Sequence, residues 1–185
     1  MRKGGKKDKM SIALYEQHRD QMRTADMLAW HSNSLIGAGI RWKTIPSGVP
    51  RDSPLSVNHT STIIRLKEYE GLERRVFITE ALENGIVLNL LSKRISEFDG
   101  YIWWYPLKRN WNDQRQIIGE RLLSVVGTKY DYGSIVKQLF CSVSVDLRQF
   151  FCSEHHYFGL GFSGKAPNPY ELCLKDYYKE AIRIL

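Results

Sequence analysis

The sequence predicts an α+β fold, in which a small antiparallel sheet of four to five strands packs against helices. Strand-like segments are grouped in the middle of the chain, between His59 and Leu107, and helix-like segments lie on both sides of them. This segregation favours α+β over the alternating order of a parallel βαβ sheet. A length of 185 residues with 43% hydrophobic residues is typical of one globular domain and excludes a collagen-like or wholly disordered chain.

The first ten residues form a basic tail, and the folded domain is expected to span residues 11–185 and to end in a C-terminal helix. Met1–Met10 carries Lys and Arg residues that give it a net charge of +4, out of +7 for the whole chain. Such a tail predicts binding to an anionic polymer, surface or partner, and it is also typical of a frayed, solubilising terminus. No motif for sequence-specific nucleic-acid binding accompanies it.

Periodicity and turn signals place the elements in order. The N-terminal half begins with a helix and a buried strand, after which a Gly- and Pro-rich segment, His31–Val57, predicts a turn of helix and a long loop. The β-branched and apolar runs that follow predict an antiparallel meander, with Asn84-Gly85 as a tight turn. The predicted helices are Ser11–Arg23, Asn112–Val126, Asp131–Phe140, Arg148–Phe158 and Leu172–Ile184, and the predicted strands are Ala25–Trp30, His59–Leu66, Arg75–Ala81, Ile86–Leu91 and Tyr101–Leu107.

The cysteine count and the apolar segments predict the cellular compartment in which the protein is made. Cysteines at 141, 152 and 173 are an odd number, which predicts reduced thiols rather than a disulfide framework. No apolar region follows the basic N-terminus, so we expect no secretory signal and a protein that is cytoplasmic at synthesis. The longest uncharged stretch, Met27–Ile40, is too short and too polar for a transmembrane segment.

Three separated residues form a candidate catalytic set. Cys152 lies near the start of a predicted helix, where unpaired N–H groups favour the thiolate, although a lone Cys is more often a small buried hydrophobe. Glu80 lies in an apolar strand and therefore needs a partner. If the two strands pair around Gly71, residues whose numbers add to about 140 face each other, which places Glu80 near Thr60 and next to His59. In such a set, His59 accepts the thiol proton and Glu80 orients its ring.

A metal site is the alternative interpretation of the cysteine region. Cys152, His155 and His156 supply three ligand types within one turn of helix. A structural zinc site needs four ligands, and no second pair completes this one, so we expect no metal. His155 and His156 are then expected on the helix surface or behind the site.

The candidate residues fall within a larger pattern of short blocks in a fixed order, from about Ala25 to Phe162. The blocks are Thr24-Ala25-Asp26-Met27-Leu28-Ala29-Trp30, Leu35–Trp42, Asn58-His59-Thr60-Ser61-Thr62, Ile78-Thr79-Glu80-Ala81 with Gly85-Ile86, Gly127–Tyr132, and Phe151-Cys152-Ser153-Glu154. This pattern resembles the circularly permuted, NlpC-like branch of the papain-fold cysteine hydrolases (the YiiX/YebB type), in which the nucleophile comes last. The chain has Ala25 where that family usually has Gly, and Cys141–Arg148 resembles an insertion.

The resemblance implies a permuted papain-like fold and a cysteine peptidase or amidase with Cys152 as nucleophile, His59 as base and Glu80 as orienting residue. Tyr130 and Tyr132 are candidates for substrate binding, the backbone N–H of Cys152 is the expected first oxyanion donor, and no cofactor is implied. The implied substrate is a cell-wall peptide, in the stem or cross-link of peptidoglycan. Without an export signal, such a protein would reach the envelope through a virus particle or lysis.

Two other functions stay open. Related permuted enzymes transfer acyl groups, so a lipid ester or thioester is an alternative substrate, and the aromatic run Trp103-Trp104-Tyr105 would fit it, although such a run is more often core. The fold is also compatible with a non-catalytic structural or binding module of a larger assembly such as a virus particle, docked through the basic tail.

Overall fold

The computed structural model describes residues 7–33, 44–82, 85–128 and 147–185. These residues form an α+β structure built on one antiparallel sheet. The helices are α1 (Lys7–His18), α2 (Leu91–Glu97), a 3₁₀ helix (Arg109–Gln114), α3 (Arg115–Ser124), α4 (Leu147–Gly159) and α5 (Pro169–Cys173), and the strands are β1 (Met27–Ser32), β2 (His59–Ile64), β3 (Phe77–Leu82), β4 (Gly85–Leu90), β5 (Gly100–Tyr105) and β6 (Ile182–Arg183).

The sheet has six strands in the order β4-β3-β2-β1-β5-β6, and it is covered on both faces. One face packs with α1 and α2 around residues such as Leu28 and Ile78, and the other packs with α3 to α5 around residues such as Met27 and Leu122. Neighbouring residues of one strand point to opposite faces, so Trp104 and Tyr105 enter different cores. This aromatic run is therefore largely core, and Trp104 and Tyr105 are at most 4% exposed.

The prediction of four to five strands was wrong by one, because the predicted helix Leu172–Ile184 is a shorter helix followed by a strand. The helix α5 ends at Cys173, and it begins with a capping box between Asn168 and Glu171. β6 then pairs with the outer edge of β5. Burial alternates at the end of this strand, since Arg183 is exposed and the next residue, Ile184, is fully buried.

Two other boundaries differ from the prediction. The first helix begins at Lys7, inside the segment assigned to the basic tail, and the long helix predicted from Asn112 starts as the 3₁₀ helix and becomes α-helical at Arg115. A further helix, α2, was not predicted at all. It buries Leu91 and Ile95, which are four residues apart on one helical face.

Among the described helices, none has both the length and the apolar composition that crossing a bilayer would require. The block Leu35–Trp42 and the predicted helix Asp131–Phe140 lie outside the described residues.

The entry into β1 holds the sheet to the helical layer through a buried carboxylate. Ala25 has a φ of 75°, the left-handed region that glycine occupies without strain, and the chain turns there so that Asp26 points inward. Asp26 is 1% exposed and accepts hydrogen bonds from the Leu107 N–H at 3.0 Å, the Trp104 indole at 3.0 Å and the Arg115 guanidinium at 2.8 Å. β1, β5 and α3 therefore converge on one acidic side chain.

We predict that Asp26→Ala lowers the free energy of unfolding by about 3–5 kcal/mol, because it leaves the buried Arg115 without its counter-charge. Urea denaturation followed by circular dichroism measures this loss. Asp113→Ala, at an exposed position, is the control and should change stability by less than about 0.5 kcal/mol. An equal, small effect of both substitutions would show that the Asp26 network does not hold the layers together.

Candidate active site

The helix that carries Cys152 is fixed against β2 by a neighbouring histidine. His156 Nδ1 lies 2.6 Å from Thr62 Oγ1, and its Nε2 lies 2.6 Å from the Tyr178 hydroxyl. Four residues of helix rise about 6 Å, and two residues of strand rise about 6.6 Å. Cys152 lies four residues before His156 in the helix, and Thr60 lies two residues before Thr62 on the same face of β2. Because these two spacings are nearly equal in length, Cys152 lies beside Thr60.

The register of β2 and β3 puts His59 and Glu80 on one face of the sheet. Thr62 faces Thr79 and Ile64 faces Phe77, so the paired numbers add to 141 rather than to about 140. Continuing this register, Ser61 is opposite Glu80, and His59 lies two residues along on the same face. The one-residue difference matters, because with a sum of 140 the two side chains would point to opposite faces.

The β2–β3 ladder stops before it reaches the candidate residues. Only Thr62–Ile64 of β2 pair with β3. Both strands continue past this ladder, β2 back to His59 and β3 on to Leu82. At the other side of β2, Asn58 and His59 both face Trp30, which is the pattern of a β-bulge. The two strands thus part at the His59 end, and residues from both faces of the sheet can meet there.

Glu80 is fully buried, and four hydrogen bonds from three side chains compensate its charge. His59 Nε2 lies 3.1 Å from Oε2, Arg94 Nε and Nη2 donate at 2.7 and 3.0 Å, and the Asn89 amide donates at 3.0 Å. Burial opposes ionisation, but the hydrogen bonds and charges of His59 and Arg94 outweigh it and lower the pKa of Glu80 to about 2. The predicted partner for this carboxylate is present, and Glu80 is ionised at neutral pH.

His59 is coupled to both Glu80 and Cys152. Its Nε2 faces Glu80, which leaves Nδ1 for the sulfur. Burial disfavours the imidazolium, but the charge and hydrogen bonding of Cys152 and Glu80 prevail and raise the pKa of His59 to about 9. In turn, burial opposes the Cys152 thiolate, but His59 and the backbone and hydroxyl of Thr60 lower the thiol pKa below its usual value. The pair therefore favours thiolate and imidazolium at neutral pH.

The sequence predicted that a helix N-terminus stabilises the Cys152 thiolate, and the structure shows that it does not. α4 begins at Leu147, so Cys152 is its sixth residue and lies in the second turn. There a backbone N–H donates within the helix, and the dipole effect has fallen off. The helix-start position from which the Cys152 N–H was expected to be the first oxyanion donor is therefore wrong, and the groups that lower the thiol pKa lie on β2.

His155 and His156 are buried, not on the helix surface. They are 5% and 0% exposed, and burial lowers the pKa of His155 to about 4 and that of His156 to about 3, helped by the nearby charge of His59 and of His155 respectively. Among the residues that the structure describes, neither ring nitrogen of His155 finds a hydrogen-bond partner, and both carboxylate oxygens of Glu154 are buried without one. Burial raises the pKa of Glu154 to about 8, so both side chains are neutral at pH 7.

The other residues that the sequence predicted for the site lie mostly outside the described ranges. Tyr130 and Tyr132, the candidates for substrate binding, lie outside the described residues, as does Cys141. Within the described part of the chain, no group of three His, Cys, Asp or Glu side chains is arranged to hold a metal ion. Sequence reasoning missed Arg94, which the apolar spacing of Leu91, Ile95 and Phe98 could have placed on a helix next to the sheet.

A scan of the sequence against protein-family models gave no match, and neither did a search among curated proteins. The contacts among Cys152, His59 and Glu80 therefore carry the functional argument.

We predict that iodoacetamide at pH 7 labels Cys152 before Cys173. His59 and Thr60 lower the pKa of Cys152, whereas burial raises the pKa of Cys173 to about 12, so that only the former has an appreciable thiolate fraction. Labelling followed by peptide mapping measures this order, and urea-unfolded protein, in which the thiols should react alike, is the control. Preferential labelling of Cys173 or Cys141 would contradict the coupling described above.

The pH profile of this labelling should depend on Glu80. In Glu80→Gln the imidazolium loses its counter-charge, so the pKa of His59 falls from about 9 and the pKa of Cys152 rises. We expect the midpoint of the labelling rate to move up by about one pH unit or more. Glu97→Gln, an exposed carboxylate at the end of α2, is the matched control and should leave the midpoint unchanged. An unchanged midpoint in Glu80→Gln would separate Glu80 from the thiol.

Proposed function

We propose that this chain is a cysteine-dependent hydrolase that cleaves an amide bond, with Cys152 as nucleophile, His59 as general base and acid, and Glu80 as the residue that orients His59. The observation that carries the proposal is the junction of these side chains from β2, β3 and α4 at the parting of the strands. A thiol, an imidazole and a carboxylate that shift one another's pKa values are typical of functional sites, and here they meet where the two strands part.

The geometry supports acyl transfer in two steps. The Cys152 thiolate attacks the substrate carbonyl carbon, and the imidazolium of His59 gives its proton to the leaving nitrogen as the C–N bond breaks. The neutral imidazole then takes a proton from water, the resulting hydroxide equivalent attacks the thioester, and the C–S bond breaks to release the acid. Throughout, ionised Glu80 keeps the ring aligned and stabilises its charged form.

Several features support a permuted papain-like fold as the framework. The base, the acidic residue and the nucleophile occur in the chain in that order, on two adjacent antiparallel strands and a following helix. The position where the resembled family usually has Gly is Ala25, whose φ of 75° is a conformation that favours glycine. The following Asp26 has the buried network described above, which gives a physical reason for an acidic residue there.

The resemblance further favours a peptide of the cell wall as substrate, in the stem or the cross-link. We propose that such an enzyme reaches its substrate as part of a virus particle or on lysis, and that the basic N-terminal residues bind an anionic partner there. A lipid thioesterase or acyltransferase, and a non-catalytic binding module of a larger assembly, are the competing functions. Incubation with purified peptidoglycan distinguishes cleavage of cell-wall peptide from these two functions. Mass spectrometry identifies the released fragments, and an amine assay detects new amino groups.

On a peptide substrate that the wild-type protein cleaves, Cys152→Ala should abolish turnover, and Glu80→Gln should lower kcat/KM by a factor on the order of 10²–10³. Gln can still accept a hydrogen bond from His59 but provides no negative charge for the imidazolium. Circular dichroism confirms that each variant is folded, and Cys173→Ala, at the other described cysteine, is the control that should retain activity. Full activity in folded Glu80→Gln would remove Glu80 from the mechanism.

A further inference from the structure

The parting of β2 and β3 leaves a backbone donor beside the thiol. The Ile63 N–H bonds to Asp26 on the β1 side at 2.9 Å. Because successive N–H groups of a strand point to opposite sides, those of Thr62 and Thr60 point towards β3. The ladder with β3 ends at Thr62, so no residue of β3 pairs with Thr60, and its N–H instead faces the sulfur of Cys152.

The side chain of Thr60 adds a second donor. Thr60 is 0% exposed, and its hydroxyl lies close enough to Cys152 to lower the thiol pKa, but among the described residues it makes no hydrogen bond of normal geometry. Such a donor can stabilise charge that develops during a reaction without first breaking a ground-state hydrogen bond, so its effect falls on the transition state.

We infer that Thr60 is the oxyanion-binding residue of the proposed hydrolase, donating its backbone N–H and its hydroxyl to the oxygen of an acyl substrate when Cys152 attacks. This inference rests on the proposed function and deepens it. The tetrahedral carbon is bonded to the sulfur, and Thr60 lies level with that sulfur through the His156–Thr62 contact, so both donors lie next to the carbon whose oxygen becomes negative. They take the place of the Cys152 N–H, which lies inside α4.

Two probes separate oxyanion binding from thiolate stabilisation. Acylation by p-nitrophenyl acetate passes through a tetrahedral oxyanion, whereas alkylation by iodoacetamide displaces iodide from an sp³ carbon and forms none. We expect Thr60→Val to lower the rate of acylation of Cys152 by a factor on the order of 10². The alkylation rate, taken on its pH plateau, should change by less than about threefold, and Thr60→Ser, which restores the hydroxyl, should recover most of the acylation rate.

Thr79→Val is the matched control, because Thr79 is also 0% exposed with an unpartnered hydroxyl, on the same face of the neighbouring strand. It should leave both rates unchanged. Equal losses of both rates in folded Thr60→Val, or no loss of either, would overturn the inference. If wild-type Cys152 is alkylated no faster than a thiol in unfolded protein and is not acylated, the proposed hydrolase itself fails, and the inference fails with it.

Discussion

The burial of one carboxylate organises the candidate site. Glu80 has no exposed surface, and an ionised group in that position is tolerated only with opposite charge and hydrogen bonds around it. α2 supplies Arg94, β4 supplies Asn89, and the rim of β2 supplies His59. Because the carboxylate stays ionised, His59 favours its protonated form, and that charge in turn favours the thiolate of Cys152. The reactivity of the Cys152 thiol, on one face of the sheet, thus depends on the ion pair of Glu80 and His59 on the other face.

Two opposite requirements meet in the sheet. Near Asp26, its strands and the helical layer must be held firmly together, and a single acidic side chain bonds groups from β5 and α3. At the other end of β2, the strands must separate so that α4 can bring a thiol to the imidazole. A continuous ladder to His59 would pair the Thr60 N–H with β3 and close the space in which the sulfur lies. The strands held together near Asp26 therefore keep the sheet in place where β2 and β3 separate near His59.

Sequence reasoning reached the contacts that depend on local spacing and missed those that depend on tertiary packing. Counting residues around Gly71 brought Glu80 to His59, but only the observed register shows that the two share a face. β6 was missed because two residues carry too little periodicity, and Arg94 was missed because α2 is only seven residues long. The approach of Cys152 to His59 joins residues far apart in the chain, and it depends on the His156–Thr62 contact, which no local pattern encodes.

The polar groups around the thiol that lack hydrogen bonds have a consequence for selection on stability. Thr60, Thr79 and His155 each bury a group without a normal partner, and each such group costs about 1–3 kcal/mol, against about 5–15 kcal/mol for a whole domain. Replacing Thr79 or His155 by an apolar side chain of similar shape would remove that cost without breaking a hydrogen bond, whereas at Thr60 it would also remove the hydroxyl that stabilises the Cys152 thiolate. In a library selected only for resistance to heat, these positions should be among the first to become hydrophobic. If Thr60 keeps its hydroxyl while Thr79 is replaced by apolar residues, a selective pressure other than stability acts on Thr60.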